Sequence, residues 1–216
     1  YNVFVDGKLH KVVKVCGTDT LIHLVSGIDK RIHSLKIQKR SEGEFGKTTV
    51  HQFVLSGSGR LAEEPAVRTR HIEFIGNSLT CGYGTDGKHR DEPFLVETEN
   101  CNLTFASMVA RYYDADYTLI AHSGRGAARN YGDSVRVSKV TMKDRMLNTF
   151  DEDLTHKWNF KEYRPDLVVI NLGSNDFSTE PHPYKSEFTK AYKQILAQLR
   201  EHYGDIPILC IYPVAM

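Results

Sequence analysis

Four apolar runs dominate the last two thirds of the chain: HIEFI at 71–75, DYTLIA at 116–121, DLVVINL at 166–172 and IPILCIY at 206–212. Each is of strand length and apolar at most positions, so both of its faces need cover, which is what a parallel sheet between two helical layers provides. The segments between the runs are long enough for the crossovers that parallel strands need. The clearest crossover is PYKSEFTKAYKQILAQLREHY. There Phe188, Tyr192, Ile195 and Leu199 recur at helical spacing with charges opposite, Pro183 stands at the start and Gly204 at the end. A second helix is expected from Asn102 to Tyr113, with Leu103, Ala106, Val109 and Ala110 on one face.

The first sixty or so residues follow a different rhythm. NVFV, KVVKV, TLIHLV, RIHSLKI and TVHQFVL are short runs rich in Val, Ile, Leu and Thr, bounded by Gly, Asp or Ser. They predict an all-β module of five strands, a small sandwich or half of one. SGSGRLAEEPAVRTR then reads as a linker. The expected organisation is an accessory domain over 1–65 and an α/β domain over 70–216.

Composition excludes more than it suggests. A net charge of +1, with 40% hydrophobic and 25% charged residues, gives no footprint for nucleic acid. No apolar run approaches the roughly 20 residues of a bilayer crossing, so membrane insertion is not expected. The opening YNVFVDGKLH reads as mid-protein sequence, and a leader could lie upstream of it. Cys16, Cys81, Cys101 and Cys210 show no Cys-x-x-Cys spacing, so neither a zinc site nor a disulfide scaffold is expected. Cys81 and Cys101 flank one polar loop and form the single pair that could be bridged.

Three strand ends carry chemistry. The first run ends in Gly76-Asn77-Ser78, where open α/β sheets place their ligand crevices. The second runs into Ser123-Gly124-Arg125-Gly126, and a glycine just past a strand can point its backbone N–H into the crevice. The third delivers Asn175, whose amide can donate to a developing negative charge, although Asn175-Asp176 is also the composition of an Asx turn. One nucleophile with two or three oxyanion donors is the inventory of an acyl-transfer site. A rival reading, a dinucleotide loop at Gly82-x-Gly84-x-x-Gly87, fails on context, because Gly82 does not directly follow the strand and no helical period follows Gly87.

The segments IEFIGNSLTCGYG, SGRGAARNYG and NLGSNDFS resemble the first three sequence blocks of the SGNH (GDSL-type) hydrolases, and more particularly the acetyl-esterases of carbohydrate esterase family 2. The resemblance implies a jelly-roll-like β-sandwich followed by a flavodoxin-like, three-layer α/β hydrolase domain. It makes Ser78 the nucleophile, with Gly124 N–H and the Asn175 side chain joining Ser78 N–H in the oxyanion hole. It also implies a carboxylic ester hydrolase, acetylxylan-esterase-like, that deacetylates plant-type polysaccharides or oligosaccharides outside the cytoplasm or in the periplasm, with no metal or organic cofactor. Tyr83, Arg125, Arg129 and Tyr131 lie near the crevice by sequence and are candidates for contact with sugar.

Two features depart from that pattern. Asn77 stands where the family usually has Asp. The final Asp-x-x-His-like block, which would supply the base, does not follow Asn175, and the literal matches Asp86-x-x-His89 and Asp153-x-x-His156 precede the third block on polar segments. The expectation is an internal piece of a longer protein, with both domains incomplete. The alternative function is a carbohydrate-binding protein on the same scaffold with impaired catalysis. His122 is expected to wall the crevice.

Overall fold

The computed structural model of the chain describes residues 1–63 and 68–212. Its N-terminal part holds a three-stranded antiparallel sheet in which β1 (Asn2–Val5) lies between β2 (Lys8–Val12) and β3 (Leu35–Gln38). Asp6 and Gly7 both adopt positive φ, 50° and 76°, and join β1 to β2 as a two-residue hairpin loop with Val5 opposite Lys8. The five-strand expectation is corrected here. TLIHLV and TVHQFVL form no ladder among the described residues, and Leu21, Val50, Phe53 and Val54 are exposed. A β-branched composition favours a strand only where a neighbouring strand takes up the backbone N–H and C=O groups.

The four apolar runs assemble as expected. They give β4 (His71–Gly76), then α1 (Ser78–Cys81), α2 (Phe105–Tyr112), β5 (Asp116–Ala121), α3 (Met142–Arg145), an antiparallel hairpin of β6 (Asn148–Phe150) and β7 (Asp153–Lys157), β8 (Leu167–Ile170), α4 (Lys185–Tyr203) and β9 (Ile208–Cys210). The sheet order is β5-β4-β8-β9, all parallel, with Ile75 paired to Ile120 on one side and Ile170 on the other. The two core clusters follow the strand alternation. Ile72, Phe74 and Val169 pack with Ala106 and Ala110 of α2, whereas Ile75, Val168 and Ile170 pack with Ile195 and Leu199 of α4. Burying one such aliphatic side chain stabilises by about 1.5–3 kcal/mol. The α2 stripe is narrower than expected, because Leu103 and Val109 remain part-exposed while the two alanines are fully buried.

One residue breaks the apolar reading of HIEFI. Glu73 points to the α4 side, is buried, and accepts hydrogen bonds from Tyr163 OH at 2.8 Å and Tyr203 OH at 2.7 Å. Burial raises its carboxyl above the ordinary glutamate value despite both hydroxyls.

The two parts of the chain are joined by hydrogen bonds as well as by sequence. Asn2 Nδ2 donates to Asn100 Oδ1 at 2.9 Å, Arg40 Nε to the Glu99 carbonyl at 2.8 Å, and Gln38 Nε2 to Tyr117 OH at 2.9 Å. No helix among the described residues is long and apolar enough to cross a membrane.

Candidate active site

Ser78 is the first residue of α1, directly beyond the carboxyl end of the central strand β4. Two local features hold it there. Asn77 caps α1, its Oδ1 accepting from Leu79 N–H at 3.3 Å, while its Nδ2 donates to Ser174 Oγ at 2.9 Å. An aspartate could cap the helix but could not donate to Ser174, so Asn77 ties the first strand end to the third through its amide. Gly76 is the second feature: a Cβ there would collide with the Thr80 hydroxyl, so only glycine lets α1 turn back this closely on β4.

At the end of β5, Gly124 adopts φ 73°, and its carbonyl accepts from Tyr131 N–H at 2.8 Å. At the end of β8, Asn175 is buried and its Nδ2 donates to the Arg125 carbonyl at 2.8 Å, which leaves its second amide hydrogen free. The backbone N–H groups of Ser78 and Gly124 meet no protein acceptor among the described residues. Three neighbouring strands therefore deliver a hydroxyl and up to three free N–H donors to one edge of the sheet.

Asp176 organises this edge, and an Asx-turn reading of the sequence underestimates it. Fully buried, its carboxylate accepts from Ala127 N–H at 3.0 Å, Ala128 N–H at 2.6 Å and Arg129 N–H at 2.9 Å. A Cβ on Gly126 would collide with that carboxylate and with the Arg129 carbonyl. The requirement for glycine at 126 is thus a close approach of the 123–132 loop to Asp176. The signal available in the sequence was the small-residue run Gly126-Ala127-Ala128 facing a single acid.

The sugar-contact candidates separate. Arg129 is 0% exposed, and its guanidinium donates to the carbonyls of Val135, Asp133 and Glu180 and to Thr179 Oγ1, so it braces the loop from inside. Arg125 is half-buried, its Nε without a protein acceptor among the described residues. Tyr131 is 62% exposed beside Gly124. Tyr83 is 49% exposed beyond the end of α1 and stacks on Phe94 with ring centroids 3.8 Å apart. The glycine triplet from Gly82 sits in turns after the four-residue α1, with Gly82 at φ 90° against the Asn100 backbone, and no helix opens on it.

His122, immediately after β5, is buried. Its Nδ1 is paired with Asp151, and its Nε2 lies 3.4 Å from Glu44 Oε2. Burial pushes the Asp151 carboxyl up, but the hydrogen bond and charge of His122 and the charge of Arg145 outweigh it and leave it below the usual range. Asp153 and His156 are hydrogen-bonded to each other, Nδ1 to Oδ2 at 2.5 Å, on the exposed β6–β7 hairpin.

All four cysteines are free, so Cys81 and Cys101 are not bridged, and Cys16 and Cys210 are exposed. Cys81 Sγ donates to Glu42 Oε2 at 3.5 Å and Cys101 Sγ to the Lys39 carbonyl at 3.3 Å. Ligand-type atoms of Glu42, Cys81 and Glu99 lie within 4.8 Å of one another. Burial, with both glutamates adjacent, holds the Cys81 thiol well above its ordinary value. Glu42 joins the group as a hydrogen-bonded junction, its Oε2 accepting from Cys81 Sγ and Ser123 N–H and its own N–H donating to Glu99 Oε1.

Burial first, and then the Glu42 carboxylate, pushes Glu99 up to about 8 from an ordinary 4.5. The folded chain therefore keeps a proton that the unfolded chain releases above pH 4.5. The stabilisation is complete below 4.5 and is lost as pH rises to about 8, by at most about 1.4 kcal/mol per pH unit. Glu73 and Asp176 are raised by burial too and act in the same sense. Glu99→Gln should therefore reduce, without abolishing, the decline of urea-unfolding free energy between pH 5 and 8. An unchanged slope would contradict this assignment.

Residues 74–216 match the GDSL-like Lipase/Acylhydrolase family, and the chain belongs to that family. Residues 1–65 match the Carbohydrate esterase 2 N-terminal domain. Among curated proteins the chain is similar to Cellulase/esterase CelE of Acetivibrio thermocellus, 36% identical over 97% of this chain and 25% of that protein. It is also similar to an acetylxylan esterase / glucomannan deacetylase of Cellvibrio japonicus, 33% identical over 83% of this chain and 49% of that protein. Among solved structures it is similar to a family two carbohydrate esterase from Clostridium thermocellum in complex with cellohexaose. The TM-score is 0.87 and the identity 34%, over 98% of this chain and 63% of that one. The chain thus spans between a quarter and a half of the length of these curated relatives.

Proposed function

We propose that this chain carries the nucleophile and oxyanion hole of a serine esterase that removes acetyl groups from plant-type polysaccharides or their oligosaccharides. The observation that supports the reading is that Ser78, Gly124 and Asn175 follow three neighbouring strands of one sheet, with the N–H groups of Ser78 and Gly124 and one amide hydrogen of Asn175 meeting no protein acceptor among the described residues. Ser78 Oγ attacks the acetyl carbonyl, and the oxyanion that forms is received by these three donors. Collapse of the tetrahedral species releases the sugar hydroxyl and leaves an acetyl-Ser78 ester, which water then hydrolyses to acetate. A histidine outside this cluster would take the Ser78 proton and return it to the leaving oxygen. His122 is engaged by carboxylates, and His156 lies on an exposed hairpin.

The substrate class is supported by the carbohydrate esterase relatives, two of which are named for acetylxylan or for a cellohexaose complex. Exposed Tyr83, whose N–H donates to the Ser78 carbonyl, and exposed Tyr131, whose N–H donates to the Gly124 carbonyl, offer aromatic surface for a sugar ring. Polymeric glycans of this kind are met outside the cytoplasm, so the protein is expected to act there.

The test is release of acetate from acetylated xylan and acetylated glucomannan by the full-length protein, with 4-nitrophenyl acetate as the simple ester. Acetate from at least one glycan is expected. Binding of the glycans with no hydrolysis of any of the three esters would reject the enzyme and favour the binding protein.

A further inference from the structure

Glu42 lies on the segment that leaves β3, outside the three sequence blocks, yet its side chain ends inside the α/β domain and is almost wholly buried. Its Oε2 accepts from Ser123 N–H at 2.6 Å and from Cys81 Sγ at 3.5 Å. Ser123 immediately precedes Gly124, and Cys81 lies one helical turn beyond Ser78 on the same short helix. One carboxylate oxygen thus clamps the loop bearing an oxyanion donor against the helix bearing the nucleophile.

Several contacts fix Glu42 in turn. Its own N–H donates to Glu99 Oε1 at 3.2 Å, and its carbonyl accepts from Lys39 Nζ at 2.5 Å. The next residue, Gly43, packs so closely on the partner of His122 that a Cβ there would lie 2.7 Å from Asp151 Cβ. A short helix such as α1, four residues long, has almost no rigidity of its own. Its orientation has to come from contacts of this kind.

We propose that Glu42 is a positioning residue for ester hydrolysis, through which the N-terminal part of the chain sets the spacing between Ser78 and Gly124. It acts through the Ser123 N–H and the Cys81 thiol and touches no reacting atom. The proposal rests on the assignment of Ser78 and Gly124 above. It gives the accessory part of the chain a second role beside any contact it makes with substrate.

The experiment compares Glu42→Ala, Glu42→Asp, Glu42→Gln and Ser78→Ala in the full-length protein, measuring kcat and KM on 4-nitrophenyl acetate together with the thermal midpoint. Alanine removes the acceptor and aspartate withdraws it by one methylene. Both should lower kcat by about 10- to 100-fold with KM within about twofold, the scale of a displacement near 1 Å in a site. Glutamine keeps one oxygen for Ser123 N–H and Cys81, and it should restore kcat to within about threefold of wild type. A loss from folding alone would follow the thermal midpoint across all three Glu42 variants rather than spare glutamine. Two results overturn the proposal: wild-type kcat in a folded Glu42→Ala enzyme, or rescue by aspartate and not glutamine, which would make charge rather than reach the property that matters. Activity in Ser78→Ala would instead overturn the site assignment, whatever Glu42 does.

Discussion

Ser78→Ala in the full-length protein is expected to lower kcat on aryl acetates and acetylated xylan by at least about three orders of magnitude while leaving the fold intact. The kinetic part follows from chemistry: without Oγ there is no covalent intermediate, and the donors that remain can only polarise an ester toward water. The structural part follows from Ser78 itself. As the first residue of α1 it sits where an alanine is tolerated, and its hydroxyl makes no protein hydrogen bond among the described residues, so nothing buried is orphaned by its removal. The thermal midpoint should stay within about 2 °C of wild type, which at this size corresponds to no more than about 1 kcal/mol. Retention of glycan binding by the inactive variant would show that the crevice is intact. A variant that keeps a tenth of wild-type turnover would remove Ser78 from the mechanism.

How far the fold and site could be read from the sequence depended on whether each feature is local. The strands β4, β5, β8 and β9 and the helix α4 were legible because their signal is a period or an uninterrupted apolar run, and burial on two faces turns composition directly into position. The three strand ends were legible for the same reason, since a glycine or a small polar residue after a buried strand marks where the sheet meets solvent. Long-range partners were not legible. Asp176 reads as a turn residue, and only the folded chain shows that it receives three N–H groups from a loop about fifty residues earlier. Glu42 reads as one more polar residue between strands, and Arg129 as a candidate for contact with sugar, until the fold buries both. In the N-terminal part the error ran the other way. TLIHLV and TVHQFVL carry a strand-like composition, but a strand is a property of two segments, and among the described residues no second segment forms a backbone ladder with them.

Asn175 is where the long-range and the chemical roles overlap, and the consequence of replacing it can be resolved into two parts. One amide hydrogen holds the Arg125 carbonyl at 2.8 Å, and the other is free to meet the oxyanion. Asn175→Ala removes both. Loss of a developing-charge donor should lower kcat by about 10² to 10³ with KM little changed. Loss of the internal bond leaves a carbonyl without its partner in a buried loop and should cost about 1–3 kcal/mol of stability. Asn175→Asp likewise removes both donors, because a carboxylate can only accept, but it keeps the shape and so separates hydrogen donation from packing. It should also place a negative charge where negative charge develops, so kcat should fall at least as far as in the alanine variant even though the volume is conserved. The measurement is kcat and KM for the three proteins beside their urea-unfolding free energies. If aspartate retained activity while alanine did not, the side chain would matter for packing alone, and the oxyanion hole would consist of the two backbone N–H groups of Ser78 and Gly124.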